Sequence, residues 1–217
     1  MRSVVTMEAF LTVDQFHLIR KQAKAIVNAL STTTDKHVQD AAKTMAYEKA
    51  TENLESITSE QKDRIDHILQ LKNKEDMEEY LLSLKELVIP FPEISEQRIR
   101  KLFPKIKKLK APDLSELDFK ETVYLRWFDK GLNKSFLIVP FKDKFIGVQG
   151  YLETTQHKGI CSICNGLEEV SLFTSEKKGK IRGTYSKKGN YICKDPAVCN
   201  GHLSDRKQLN QFIENLK

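Results

Sequence analysis

KGICSICNG at 158–166 and GNYICKDPAVCNGHL at 189–203 hold all four cysteines of the chain. Two residues separate Cys161 from Cys164, five separate Cys193 from Cys199, and 28 lie between the pairs. Two residues between cysteines let the backbone turn so that both thiolates face one ion. Two such pairs supply the four soft ligands of a closed tetrahedral zinc site. Gly159 and Gly166 flank the first pair and relax the backbone there. Four cysteines within 39 residues, in a chain expected to be cytosolic, point to metal before disulfides. One structural zinc ion is the expected cofactor, with an iron–sulfur cluster or free thiols as the other uses of such a set. His202 and His157 stand close enough in sequence to replace a thiolate, although four already complete the shell. A catalytic zinc keeps one position open for water or substrate, and none is left here. The metal is therefore a folding element, worth on the order of 10–16 kcal/mol of apparent free energy at neutral pH.

Outward from the cysteines the pattern is strand-like. EVSLFTS and GTYS between the pairs predict strands, with EKKGK and KKGN as turns, and a helix over 204–216 capped by Ser204 or Asp205 closes the finger. Upstream, ETVYLRWF, SFLIVPF and KFIGVQGYLE are rich in β-branched and aromatic residues. DKGLNK and KDK between them suit hairpin turns, so a small antiparallel sheet over 119–153 leads into a finger over 157–217.

Residues 1–90 read as a helical bundle. Phe16, Ile19, Ala23, Ile26, Val27 and Leu30 form one stripe on a first helix, and Val38, Ala41, Ala42, Met45 and Tyr47 mark a second over 36–54. Thr58 with Gln61 is a capping-box signature for a third, and Asn73 caps a fourth. His17, His37 and His67 are expected at the surface or in caps. Pro90 and Pro92 end the bundle. Ser95 opens a basic helix over 95–110, bent at Pro104, whose cations over 98–110 suit RNA phosphate or a solvated connector. The fold class is α+β: a helical bundle over 1–90, then a mixed zinc-binding domain over 91–217.

The composition, 40% hydrophobic and 30% charged, is that of a soluble globular protein. No apolar run approaches the ~18–20 residues needed to cross a bilayer. MRSVVTMEAFLTV is short, is broken by Glu8 and lacks a cleavage site, so it does not read as a signal peptide. A cytoplasmic monomer is expected. Residues 1–90 carry a net charge of −3 and residues 91–217 a net of +9, so the second half suits an anionic partner, either nucleic acid or an acidic protein surface. There is no Gly-rich phosphate loop, no GxSxG and no HExxH, which favours a binding protein over an enzyme. Ile160, Lys187, Lys188, Tyr191 and Phe212 crowd the finger. Aromatics and long cations on a rigid scaffold serve as interface anchors, while Tyr191 and Phe212 could equally pack the finger's own core.

KGICSICNGLEEVSLFTSEKKGK and YSKKGNYICKDPAVCNGHLSD, with IPFPE, LFPKIKKLK and NQFIENL, resemble the bacterial fusidic-acid-resistance proteins that bind elongation factor G. The resemblance covers essentially the whole chain and is strongest from about residue 88 onward. It implies an N-terminal helical bundle and a four-cysteine zinc finger that docks on the C-terminal domains of elongation factor G. It further implies release of the factor from the ribosome, including when fusidic acid locks the GDP-bound form, without modification of the drug. Carried over by position, the contact surface includes Lys188, Tyr191 and Phe212. Ile160 stands where some members have Phe, and Pro104 departs from the family pattern. The competing reading is a zinc-finger protein that binds RNA or the ribosome.

Overall fold

The computed structural model describes residues 7–142, 144–178 and 185–216. The start of the N-terminal stretch, the middle of the KDK turn, the end of EKKGK and the first residues of GTYS lie outside them. The chain forms two units, Met1–Pro90 and Phe91–Lys217.

The first unit is built of helices α1 (Val13–Thr32), α2 (Lys36–Thr51), α3 (Ser59–Asp66) and α4 (Lys74–Lys85), with a 3-10 turn at His67–Gln70. Local chemistry starts each one. Thr12 with Gln15 and Thr58 with Gln61 form capping boxes, Asp35 accepts from the His37 N–H, and Asn73 accepts from the Asp76 N–H. Phe16, Ile19, Ala23 and Ile26 bury the predicted stripe of α1. Helix α2 differs from expectation, because it buries Ala46 and Ala50 and leaves Val38 and Met45 exposed. Small alanines let α2 lie close to α1, and its larger apolar residues fall on the outer side. His17, expected at the surface, is buried against the Phe16 ring. Leu11 closes the core as a parallel bridge to Val88, with the Ile89 N–H donating to the Leu11 carbonyl at 2.8 Å.

The second unit opens with α5, Glu96–Leu102. The helix expected over 95–110 thus ends before Pro104, which terminates it instead of bending it. Phe103 is already non-helical at ψ 60, as the residue preceding a proline tends to be. Ile99 and Phe103 turn inward to join Phe91, Ile94, Leu109, Leu125, Phe136 and Ile138 in one core. There Trp127 stacks on Phe136 with centroids 5.3 Å apart, and Phe103 meets Phe136 edge-on at 5.0 Å.

Strands β1 (Leu125–Asp129), β2 (Lys134–Phe141) and β3 (Lys144–Leu152) form an antiparallel meander. The β1–β2 turn sets Asn133 at φ 49, a left-handed position that Asn tolerates. Strands β4 (His157–Ile160), β5 (Leu167–Lys178) and β6 (Tyr185–Cys193) follow, then helices α6 (Pro196–His202) and α7 (Arg206–Leu216). The meander and the finger share one sheet. β6 runs along one edge of β5, while β4 and then β3 occupy the other, so Val170 stands between His157 and Cys193. The backbones come close where Gly150 and Gly189 flank β5. A Cβ at either would collide with the carbonyl oxygen of Thr174 or Phe173. Helix α6 is an element beyond those expected, and α7 begins two residues later than the predicted 204. Among the described residues no helix is long and apolar enough to cross a membrane.

Candidate metal centre

β4 delivers Cys161 into a tight turn. The Asn165 N–H donates to the Cys161 carbonyl at 2.9 Å, the Cys161 N–H donates to the Gly166 carbonyl at 2.9 Å, and Asn165 takes a left-handed φ of 58. This knuckle points Cys161 and Cys164 the same way. The end of β6 is tied beside it, with the Ser162 N–H donating to the Tyr191 carbonyl at 2.9 Å. That contact brings Cys193 alongside. Helix α6 supplies the fourth thiol. Asp195 caps it by accepting from the Ala197 N–H at 2.7 Å, and Pro196 occupies its first turn, where no donor is needed. Cys199 is fully buried one turn later.

The four sulfurs lie within 4.8 Å of one another, with Cys161 Sγ 3.7 Å from Cys199 Sγ and Cys164 Sγ 3.6 Å from Cys193 Sγ. A tetrahedron with Zn–S bonds of about 2.3 Å has edges of about 3.8 Å, so the spacing fits one zinc ion. It does not fit disulfides, whose sulfurs approach to about 2.05 Å. Backbone N–H groups of Ile163 and Cys193 each donate to Cys161 Sγ at 3.3 Å, as expected for a thiolate acceptor. So tight a cluster cannot ionise fully without a cation. Hydrogen bonds from Cys164, then Cys193 and Cys199, hold Cys161 far below the ordinary thiol range. Hydrogen bonding with Cys161, then with Cys164 and Cys193, together with burial, pushes Cys199 far above it. A divalent ion removes that conflict and makes all four thiolates compatible. His202 is not needed, since its Nδ1 lies 3.5 Å from Glu168 Oε1. His157 stands edge-on to Tyr191, with ring centroids 4.7 Å apart.

Of the residues singled out as partner contacts, Ile160, Lys188 and Phe212 border one hollow of about 730 Å³ beside the metal ligands, together with Asn190, Gln208 and Gln211. Ile160 is 57% exposed at its edge. Phe212 is only 3% exposed and packs on Phe173 at 6.1 Å, so its ring belongs to the finger's own core. Tyr191 is 42% exposed but does not line the hollow. Lys187 pairs across the strands with Glu176 at 3.0 Å.

Asn200 is a residue the sequence patterns passed over. Its Oδ1 accepts from the N–H groups of Val123 at 2.7 Å and Tyr124 at 3.1 Å, fastening α6 to the start of β1. Partners more than 70 positions away leave no local periodicity to read. The one cue is an amide side chain directly following a ligand cysteine.

Residues 10–92 match the family described as "Elongation factor G-binding protein, N-terminal", and residues 103–215 match "FBP C-terminal treble-clef zinc-finger". The geometry agrees with the second description: a knuckle, a hairpin and a short helix that together present the four thiols. No curated protein matches the sequence. Among solved structures the chain is similar to one titled "Structure of the fusidic acid resistance protein FusC", with 32% identity, a TM-score of 0.84, and coverage of 98% of this chain and 100% of that one. With both units matched and the zinc-finger geometry in place, the chain belongs to the family of fusidic-acid-resistance proteins that bind elongation factor G.

Proposed function

We propose that this protein, as a cytoplasmic monomer, binds elongation factor G through the finger and promotes release of the factor from the ribosome, including when fusidic acid holds the GDP-bound form in place. Family membership supports the partner. The observation that carries the surface is the hollow beside the metal ligands, rimmed by exposed Ile160 and Lys188. A metal-fixed wall presents an apolar side chain and a cation on backbone that is already ordered, which lowers the entropy lost on docking. The finger grips the C-terminal domains of the factor and favours the domain arrangement with weaker ribosome affinity. A binder shifts such a population only by its difference in affinity for the two arrangements. No bond is made or broken, and four thiolates leave the metal no open position for a reactant.

The basic segment gives the RNA-binding reading less support. Arg98 lies over the Phe145 ring at 5.2 Å, and Arg100 pairs with Glu96 at 3.3 Å, so two of its cations are engaged within their own unit.

The test uses ribosomes stalled with factor, GDP and fusidic acid. Added zinc-loaded protein is expected to free the factor in a sedimentation assay, while Ile160→Ala and Lys188→Glu free much less. Factor that stays on the ribosome with the parent protein overturns the function. Full release by both variants overturns the surface. Steeply salt-dependent retention on naked RNA, with no binding to the purified factor, supports the RNA reading instead.

A further inference from the structure

Among the described residues, the Tyr124 hydroxyl and Arg126 Nη1 are buried donors with no hydrogen-bond partner in the protein. Native folds seldom leave such groups unmade. A cleft of about 440 Å³ borders both residues, yet both atoms are closed to solvent.

Their backbone and side-chain ties show what lies beside them. Tyr124 is bonded through its own N–H and carbonyl to Asn200, the residue after Cys199. Arg126 Nη2 donates at 2.7 Å to the carbonyl of Lys194, the residue after Cys193. Leu125 and Trp127 pack with the aromatic core, and Tyr124 and Arg126 alternate with them. A zinc ion with four thiolates is formally a dianion, whose sulfurs accept hydrogen bonds. Backbone N–H groups already reach Cys161 in this way.

We propose that Tyr124 and Arg126 are positioning residues of the zinc centre: once the metal holds Cys199 as a thiolate, the otherwise unpartnered Tyr124 hydroxyl donates to it, and the Arg126 guanidinium offsets the charge of the centre from the Cys193 side. The Tyr124 side chain lies against that of Cys199, with Cys161 and Arg126 also near it. Partners of this kind orient the ligands and tune the basicity of the thiolates. The inference rests on the metal site alone and is independent of the partner proposed above.

Tyr124→Phe removes one oxygen and nothing else. In the full-length protein, zinc transfer to a chromogenic chelator is expected to quicken by on the order of tenfold or more. In the cobalt-substituted protein, the thiolate-to-metal charge-transfer band is expected to move to longer wavelength, because the sulfur lone pairs lose a stabilising donor. Arg126→Lys, which keeps the charge but shortens the reach, is expected to quicken transfer by a smaller factor. Tyr80→Phe, which deletes a buried hydroxyl bonded to the Ile65 carbonyl in the other unit, is the control and should change neither reading. If Tyr124→Phe holds zinc as tightly as the parent with an unmoved cobalt band, the hydroxyl is a true orphan and the proposal fails. A Tyr124→Phe protein that takes up no zinc, although its metal-free form unfolds like the metal-free parent, is the expected loss at its limit.

Discussion

Asn200 and Tyr124 are joined by two hydrogen bonds of equal length: Asn200 Oδ1 accepts from the Tyr124 N–H at 3.1 Å, and Asn200 Nδ2 donates to the Tyr124 carbonyl at 3.1 Å. With the further bond from the Val123 N–H at 2.7 Å, one side chain satisfies three backbone groups across the junction of helix and sheet. Asn200→Ala strands two buried donors and a carbonyl. A loss of about 3 kcal/mol is expected in urea unfolding of the zinc-loaded protein. An unchanged midpoint would show that water replaces the amide.

Removal of zinc is expected to unfold the finger and spare the bundle. The metal contributes on the order of 10–16 kcal/mol, as much as a whole domain's net stability of about 5–15 kcal/mol. The bundle has its own core around Phe16, Ile19, Ile65 and Leu84. After chelation at neutral pH, hydrogen exchange should lose protection over 157–216 and keep it within α1 and α4. Loss in both regions together would contradict the independence of the two cores.

Phe212 and Ile160 should separate folding from recognition. Phe212→Ala empties a buried site against Phe173 and is expected to cost about 3–5 kcal/mol. Any loss of factor binding in that variant is therefore inseparable from loss of the finger. Ile160→Ala, at an exposed edge, should stay within about 0.5 kcal/mol of the parent in stability. It should nonetheless weaken factor binding about tenfold by calorimetry, the size of a modest hot spot. Equal affinity in the Ile160→Ala variant would move the contact elsewhere on the finger.

Tyr80 makes the bundle sensitive to alkali. Its hydroxyl donates to the Ile65 carbonyl at 3.0 Å, and burial, followed by the charge of Asp66, pushes its pKa upward. A phenol whose folded pKa exceeds the unfolded value of about 10 stabilises fully below that pH, and the contribution is lost as pH rises beyond it. Helical signal followed in urea at pH 8 and pH 11 should show a drop in the parent and a smaller drop in Tyr80→Phe. At pH 8 the variant should be about 1 kcal/mol less stable. Equal drops in both would assign the alkaline sensitivity to other groups.

The metal site was the most legible part of the chain, because thiolate spacing is a local property and four ligands leave little freedom. Helix starts at Thr58 and Asn73 were legible for the same reason, since each cap is decided within three residues. Helix α6 was missed although Asp195 and Pro196 are good start signals, because seven residues are too few to show a helical period. The exposed Val38 and Met45 show another limit: two stripes on α2 were open, and only the packing of α1 against Ala46 and Ala50 chose between them. Burial of Phe212 is decided by Phe173 beneath it, a neighbour that spacing along the chain does not reveal. The roles of Asn200, Tyr124 and Arg126 depend on contacts across more than 60 positions, which no window of sequence contains.

β5 carries β6 along one edge from Val170 onward and β4 and then β3 along parts of the other, and these neighbours bring in Cys193, the knuckle and the meander. Side chains alternate with a period of two, so a one-residue insertion or deletion within 167–174 would move pairings on three strands at once and turn Val170 and Phe173 out of their cores. Relatives of this chain can therefore drift in composition along β5, yet length there should be invariant, and gaps in their alignments should fall outside it.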